Sequence, residues 1–565
     1  MIEQNESSDL LLKKNVNDAG IYIPNEEVGM GPHCSTSLLT NSDIQKIPEE
    51  PLKPGEQYRF HFNMARCIGC KCCVVACNEQ NNNPEFVNWR RVGEVEGGTY
   101  PETKRFYLSM ACNHCGDPSC LTGCPVDAYV KDPQTGIVLQ KQDACIGCQY
   151  CIWNCPYGVP QYNPERKIVT KCDLCYNRLK DGTAPACVAA CPETAITVEK
   201  VSIVDWTKDH RQADCPQLPS SGQTLSTTRI TLPVDFPRDA LKADLHDIRP
   251  EKPHTPLIFL TVLTQLAIGG FFFLWLGDLF FQPPSQFLGF GASGMLFVTL
   301  LALSVSIFHL GRPVYAFRAL KMWRRSWLSR EVLAFSLFSL FGGCYALLWL
   351  NRLYFHWSWL YLNDPLRILL GSLASLVGIL GITASAFIYM VPARPSWNTP
   401  GTLMRFFLTA LILGSLLELF IYSLFLYRHP SSSDLSLMSL SLLAPIYPLY
   451  WITATSSAVQ FLILVRGLSY LTRKEEHFEL NATAQLLMGH FRWHLLIRLG
   501  CLILGGVGIP LSLEILFMNH SLLTLSQLIW VNGLAFLISI AGEFLGRYLF
   551  FVTVVPKDMP GGFFK

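Results

Sequence analysis

From residue 256 onward the chain alternates apolar runs of roughly twenty residues with short polar or basic loops, whereas the first 250 residues hold only brief apolar stretches. A run of about twenty residues, at ~1.5 Å per residue, crosses a hydrocarbon core of ~30 Å. Eight such spans are predicted, at 256–278, 287–310, 331–352, 366–391, 402–427, 445–471, 495–519 and 524–552. The first half carries a different rhythm. Tyr58–Asn63 alternates as a short strand, a strand pair is predicted around Trp89–Val92 and Arg105–Leu108, and Ile137–Leu139 and Ile168–Val169 repeat a shorter one. Residues 1–56 are polar and aperiodic, an N-terminal extension. Residues 205–255, rich in Pro, Ser, Thr and Asp, read as a linker running over a surface. The predicted organisation is therefore an extension (1–56), a small α+β domain (57–204), a linker (205–255) and an all-α eight-helix transmembrane bundle (256–555).

Composition sharpens this division. Half the residues are hydrophobic, and nineteen of the 21 cysteines lie before residue 250. The net charge of +2 excludes nothing, but no basic patch is interleaved with aromatic residues, so no nucleic-acid partner is expected. Residues 1–30 lack both a basic start and an apolar core, so no signal peptide is visible, and Arg90-Arg91 lies too deep to be a twin-arginine signal.

Sixteen of the cysteines form four motifs: Cys67, Cys70, Cys73, Cys77; Cys112, Cys115, Cys120, Cys124; Cys145, Cys148, Cys151, Cys155; and Cys172, Cys175, Cys187, Cys191. The first and third read C-x2-C-x2-C-x3-C, and Pro125, Pro156 and Pro192 follow the last three. This is the bacterial ferredoxin run, in which three thiolates hold one [4Fe–4S] cluster and the fourth reaches a neighbour. In the second and fourth motifs the gap before the third cysteine is stretched. Four motifs make room for four cubanes, and a zinc reading would not produce the whole set. Such cysteines must stay thiolates, which also excludes a disulfide scaffold. Cys72 is off the motif spacing, and Cys34, Cys215, Cys344 and Cys501 are isolated; these are read as inert thiols.

The stretches CNHCGDPSCLTGCP, CIGCQYCIWNCPYGVPQYN and TKCDLCYNRLKDGTAPACVAACP resemble the iron–sulfur subunit of the dimethyl sulfoxide reductase type of molybdoenzyme, over about residues 57–200. The membrane half resembles that enzyme's anchor subunit, most tellingly in FHLGRPVYAFRAL and SWLSREV within Phe308–Val332. In the family these are usually two proteins; here they are fused. The resemblance implies a ferredoxin-like domain with a nested pairing of ligands. Cys67, Cys70, Cys73 and Cys191 would hold one cluster, and Cys172, Cys175, Cys187 and Cys77 its neighbour. Cys112, Cys115, Cys120 and Cys155 would hold the third, and Cys145, Cys148, Cys151 and Cys124 the fourth. Spacing alone leaves pairing of adjacent motifs open. The related nitrate reductase type has tryptophan at one cluster position, whereas all sixteen positions here are cysteine.

An electron wire that ends at a membrane domain needs a partner there. His309, His356, His429, His490, His494 and His520 sit at span ends or in loops, and His490 and His494 share one helix face, so no haem is expected. A quinol (menaquinol or ubiquinol) needs a proton acceptor near the interface. His309 closes the second span and Glu331 opens the third; the resemblance favours His309 as the quinol site and leaves Glu331 balanced between that site and a structural role. Gly311 and Pro313 would shape the turn, with Arg312 and Arg330 nearby. Taken singly, His309 could be a helix-end residue and Glu331 a charge favoured by the helix dipole. Glu418, Glu514 and Glu543, with Asp278, are acids within or at the ends of spans; they either form a proton path or pair inside the bundle, with Arg498 and Arg547 as partners.

The resulting expectation is the electron-transfer and membrane-anchor subunit of a molybdopterin-type oxidoreductase. It would oxidise quinol and feed electrons through four [4Fe–4S] clusters to a separate molybdenum or tungsten pterin subunit, which reduces an S-oxide or N-oxide-like acceptor in anaerobic respiration. The alternatives are the same wire run towards quinone, and an ion-translocating module using Glu418, Glu514 and Glu543. The loop 311–330 carries Arg312, Arg318, Lys321, Arg324, Arg325 and Arg330, and further basic residues follow at Arg466, Arg473, Lys474, Arg492, Arg547, Lys557 and Lys565. The loops near 279–286 and 520–523 have none. The positive-inside rule then puts the cluster domain and both termini on the cytoplasmic face of a bacterial inner membrane, unless those arginines serve to dock the cluster domain.

Overall fold

The computed structural model describes residues 46–237, 239–245, 248–357, 363–428, 446–473, 478–518 and 524–559. Contacts divide the chain into residues 1–45 and 46–565, and all the described residues belong to the second unit. Most of the predicted extension, Cys34, His429, His520, Lys474 and Lys565 lie outside the described residues.

The N-terminal half is built on small sheets whose apolar faces are completed by cysteine loops. Strand β1 (Glu56–Asn63) pairs antiparallel with β8 (Ile196–Ser202), and β2 (Arg91–Gly97) with β3 (Lys104–Met110). Two short hairpins, β4 (Tyr129–Lys131) with β5 (Val138–Gln140) and β6 (Gln161–Asn163) with β7 (Ile168–Thr170), lie between cysteine motifs. Phe60, Phe62, Val95, Leu108, Ile196 and Val198 are buried, the inward halves of alternating strands. The strand predicted around Trp89 starts two residues later; the Trp89 indole instead donates to Thr170 Oγ1 at 3.1 Å. Arg90 and Arg91 are both buried.

The structure differs from the linker reading of 205–255. Strand β9 (Arg229–Thr231) adds to β1 in parallel, and β10 (Leu241–Lys242) adds to β2. Trp206 is only 5 % exposed, with the Arg59 guanidinium 4.5 Å above its ring and its indole N–H donating to the Ser226 carbonyl at 2.7 Å. The polar composition misled because the Ser and Thr hydroxyls here satisfy buried backbone and side chains, as in Thr228 Oγ1 to Asn113 Oδ1 at 2.7 Å. Only a few apolar anchors, Trp206 and Ile230 among them, attach the segment. Trp206→Ala is therefore expected to destabilise this half by about 3–5 kcal/mol, seen as a lowered unfolding temperature with early loss of iron. An unchanged transition would return the segment to linker status.

All eight predicted spans are present: Thr255–Phe280, Ser285–Ile307, Trp327–Phe355, Asp364–Tyr389, Pro400–Arg428, Ile446–Thr472, Arg492–Leu516 and Leu525–Val552. The first is apolar on every face, and 83 % of its most apolar window is buried, so it is the central helix of the bundle. It meets the fifth span at Gly269 and Gly414, where a Cβ on either residue would collide with backbone of the other helix. Two of the intramembrane acids are paired. Glu543 lies 2.6 Å from Arg498, and Asp278 pairs with Arg367 while accepting from the Tyr345 hydroxyl at 2.7 Å. Arg547 bonds Gln265 rather than an acid, at 2.8 Å. Glu418 Oε2 has no partner among the described residues, and Glu514 faces Trp451.

Candidate iron–sulfur path and its membrane end

Each cysteine motif begins with the same local device. The residue just before the second cysteine is left-handed in all four: Gly69 (φ 72°), His114 (41°), Gly147 (71°) and Leu174 (59°). That turn faces the two thiols of C-x-x-C the same way. Gly69 and Gly147 adopt it freely, whereas His114 and Leu174 adopt it at a cost of about 1–2 kcal/mol each. Backbone N–H groups then point at sulfur: Leu174 to Cys172, Ala128 to Cys124 and Ala195 to Cys191, all at 3.3 Å.

The thiols converge in four sets, and each set draws on two motifs. Cys67, Cys70, Cys73 and Cys191 line one hollow (the first set), and Cys112, Cys115, Cys120 and Cys155 line another (the third). Cys77 lies close enough to Cys175 and Cys187 for their charges to oppose its own, and Cys172 is likewise close to Cys77 and Cys187 (the second set). Cys148 and Cys151 stand in the same relation to Cys124 and Cys145 (the fourth set). Among the described residues no three His, Cys, Asp or Glu side chains close on a single metal ion. The thiols of the first and third sets ring a space instead, as ligands to separate irons of one cubane do. Burial pushes the Cys67 thiol up to about 11 and the Cys77 thiol to about 12. Thiolates at these positions at neutral pH call for a compensating positive charge, which iron would supply.

The sets follow one another. Cys73 of the first neighbours Cys187 of the second, and Cys172 of the second neighbours Cys112 of the third. A buried cation sits at each of these two gaps. Burial disfavours the charge on Arg90, but Cys187, Cys73, Cys172 and Cys77 outweigh it and raise its pKa; Lys171 is held charged in the same way by Cys112, Cys120 and Cys172. Arg90 Nε and Nη2 have no partner among the described residues, which suits donation to sulfur of a bound cluster. Tyr129 lies at the third gap, close to Cys151 of the fourth set and Cys120 of the third.

The fourth set rests on the membrane bundle. Tyr150, between Cys148 and Cys151, is buried and close to Glu331, and Trp153 packs on His254, Tyr389 and Trp397. Glu331 is 6 % exposed, faces Ser385, and its Oε1 has no hydrogen bond of ordinary length among the described residues. His309 directs Nδ1 at the Ser306 carbonyl. A carbonyl only accepts, so Nδ1 carries the hydrogen and Nε2 keeps a free lone pair. Two and three residues on, Gly311 N–H donates to the Gly147 carbonyl (3.4 Å) and Arg312 N–H to that of Ile146 (3.0 Å). The loop carrying His309 is thus bonded to the cysteine loop of the fourth set. Several basic residues of that loop do dock the cluster half. Arg312 donates to the Gln142 carbonyl, Arg318 to that of Asp143, and Arg325 pairs with Asp127 at 3.2 Å.

Comparison with known families matches both halves. Residues 103–201 match the 4Fe-4S dicluster domain, and residues 251–552, more than half of the chain, match the DMSO reductase anchor subunit (DmsC). The protein belongs to the DMSO reductase anchor subunit family, fused to an iron–sulfur subunit. Over 178 residues its iron–sulfur half is 39 % identical to an anaerobic dimethyl sulfoxide reductase polypeptide of Haemophilus influenzae, covering 30 % of this chain and 86 % of that one. The corresponding anaerobic dimethyl sulfoxide reductase polypeptide of Escherichia coli K12 is 43 % identical over 148 residues, 25 % of this chain and 72 % of that one. A sulfite dehydrogenase subunit of Allochromatium vinosum is 37 % identical over 150 residues, 23 % of this chain and 62 % of that one.

This fusion of iron–sulfur and anchor subunits is thus a multi-pass membrane protein of an electron-transfer family. Four residues of its path were not singled out from sequence: Arg90, Tyr129, Tyr150 and Lys171. Lys171 and Tyr150 each adjoin a motif cysteine, a signal that could have flagged them. Arg90 and Tyr129 lie outside the motifs, and the thiols they face come from more than one of them.

Proposed function

We propose that this chain oxidises quinol between His309 and Glu331 and passes the electrons through four [4Fe–4S] clusters to a separate catalytic subunit. The observation that carries this reading is the unbroken succession of four thiol sets whose last member is bonded, through Gly147 and Gly311, to the loop of His309. The sixteen motif cysteines would hold the clusters in the four sets described, and the clusters supply one-electron storage. The protein's own residues do the rest. Quinol gives up two electrons and two protons; His309 Nε2 and the Glu331 carboxylate each receive a proton, and Arg90 and Lys171 lower the cost of negative charge along the path.

The outlet would be the first set. Cys70 is exposed there, and Ile68 and Val75 beside it are 58 % and 61 % exposed, an apolar rim suited to a docked protein. That partner would carry the molybdenum or tungsten pterin and reduce an S-oxide or N-oxide-like acceptor, as the names of the reductase relatives suggest. The likeness to a sulfite dehydrogenase subunit supports the reverse current as the second reading. The cluster half is assigned to the cytoplasmic side. The basic loops 311–330 and 466–494 support this side by the positive-inside rule.

The complex captured from native membranes is expected to contain about sixteen iron atoms per chain and one molybdenum or tungsten. Added menaquinol or ubiquinol should bleach its cluster absorbance. Half the iron, or clusters that only the terminal substrate reduces, would refute the four-cluster quinol-oxidising reading.

A further inference from the structure

The fifth to eighth spans enclose a polar site that the electron path does not use. It is a cavity of about 150 Å³ lined by Arg405, Gln460, Arg498, Glu543 and Arg547, in the half of the bundle nearer the cluster domain. Among the described residues, three guanidinium groups there face one carboxylate. Glu543 is already committed: Oε1 to Arg498 at 2.6 Å, and Oε2 to the Thr409 hydroxyl at 2.7 Å and Gln460 at 3.4 Å. Arg547, 5 % exposed, gives one N–H to Gln265 and lies 3.6 Å over the Phe406 ring, while its Nε has no partner among the described residues. The Arg405 Nε is spent on its own helix, at the Gly401 carbonyl. Among the described residues two of these positive charges have no acid to balance them, which is costly inside a membrane bundle unless an anion joins them.

We infer that this cavity binds a phosphate group, either the headgroup of an anionic phospholipid or a soluble phosphate. Guanidinium forks match phosphate oxygens in pairs, and a phosphate would balance Arg405 and Arg547 together. Leu464, Leu468 and Leu471 line the same cavity, and Tyr470 at its edge is 42 % exposed, so an acyl chain has an apolar wall to follow outward.

The test uses the delipidated holo-complex in phosphatidylcholine nanodiscs, with a quarter of the lipid replaced by phosphatidylglycerol or with millimolar inorganic phosphate added. A rise in unfolding temperature with phosphatidylglycerol alone identifies a lipid headgroup, and a rise with inorganic phosphate identifies a soluble source. No rise in either arm overturns the site. R405Q/R547Q should weaken the response about tenfold while dithionite still reduces the clusters. E543Q, which removes the competing carboxylate, should strengthen it. An undiminished response in R405Q/R547Q, or a weaker one in a folded E543Q, would assign the effect to some other surface.

Discussion

His309→Ala and Glu331→Gln are each expected to slow quinol-driven reduction of the clusters by about 10²-fold or more, while dithionite still reduces them fully. The expectation rests on proton accounting at one end of the wire. Quinol gives up its electrons readily only as its protons leave, so acceptors must stand where the electrons exit. The Ser306 carbonyl fixes the His309 tautomer and leaves Nε2 open to receive one. Glu331 is buried beside Tyr150, with an oxygen that no described residue bonds, a costly arrangement for a purely structural carboxyl. Its substitution by glutamine keeps the shape and removes the proton acceptor, so a fall in quinol rate without loss of iron separates chemistry from folding. Stopped-flow absorbance with menaquinol and ubiquinol analogues makes the measurement. Wild-type quinol kinetics in both variants would remove the site from this corner of the bundle.

Much of the path was legible in the sequence because iron–sulfur motifs and membrane spans are local signals. A thiol every third residue and a run of twenty apolar residues need no tertiary context to be read. The segment 205–255 was not legible in that way. Its Ser, Thr and Pro content matches a surface linker, yet Trp206 and the added strands β9 and β10 make it part of the cluster half. Which thiols share a set was open from motif spacing alone, and only the family resemblance implied the nested sets. The pairing depends on β8 returning antiparallel to β1, which carries Cys191 back to Cys67 across more than 120 residues. The basic loop 311–330 served two readings at once. Its arginines lie on the side assigned to the cytoplasm, and several of them also bind backbone carbonyls and Asp127 of the cluster half. Positive-inside counting sees only the first role.

The sets also predict where a single broken ligand interrupts the current. Cys191→Ser should damage the cluster of the first motif, costing up to about four irons per chain, although Cys191 belongs to the fourth motif. Pairing of adjacent motifs would place the loss elsewhere. Because the first set lies farthest along the succession from the membrane, quinol should still reduce the three remaining clusters of this variant, and only delivery to the catalytic partner should fail. Cys148→Ser cuts the opposite end. With the fourth set broken, quinol should reduce none of the remaining clusters at an appreciable rate, while reduced clusters should still pass electrons to the partner when dithionite supplies them. Low-temperature electron paramagnetic resonance of the two variants, each reduced once with quinol and once with dithionite, reads both outcomes. The contrast depends on the order of the sets and not on cluster number. If Cys191→Ser instead blocked entry from quinol, the succession from Tyr150 through Tyr129, Lys171 and Arg90 would run the wrong way.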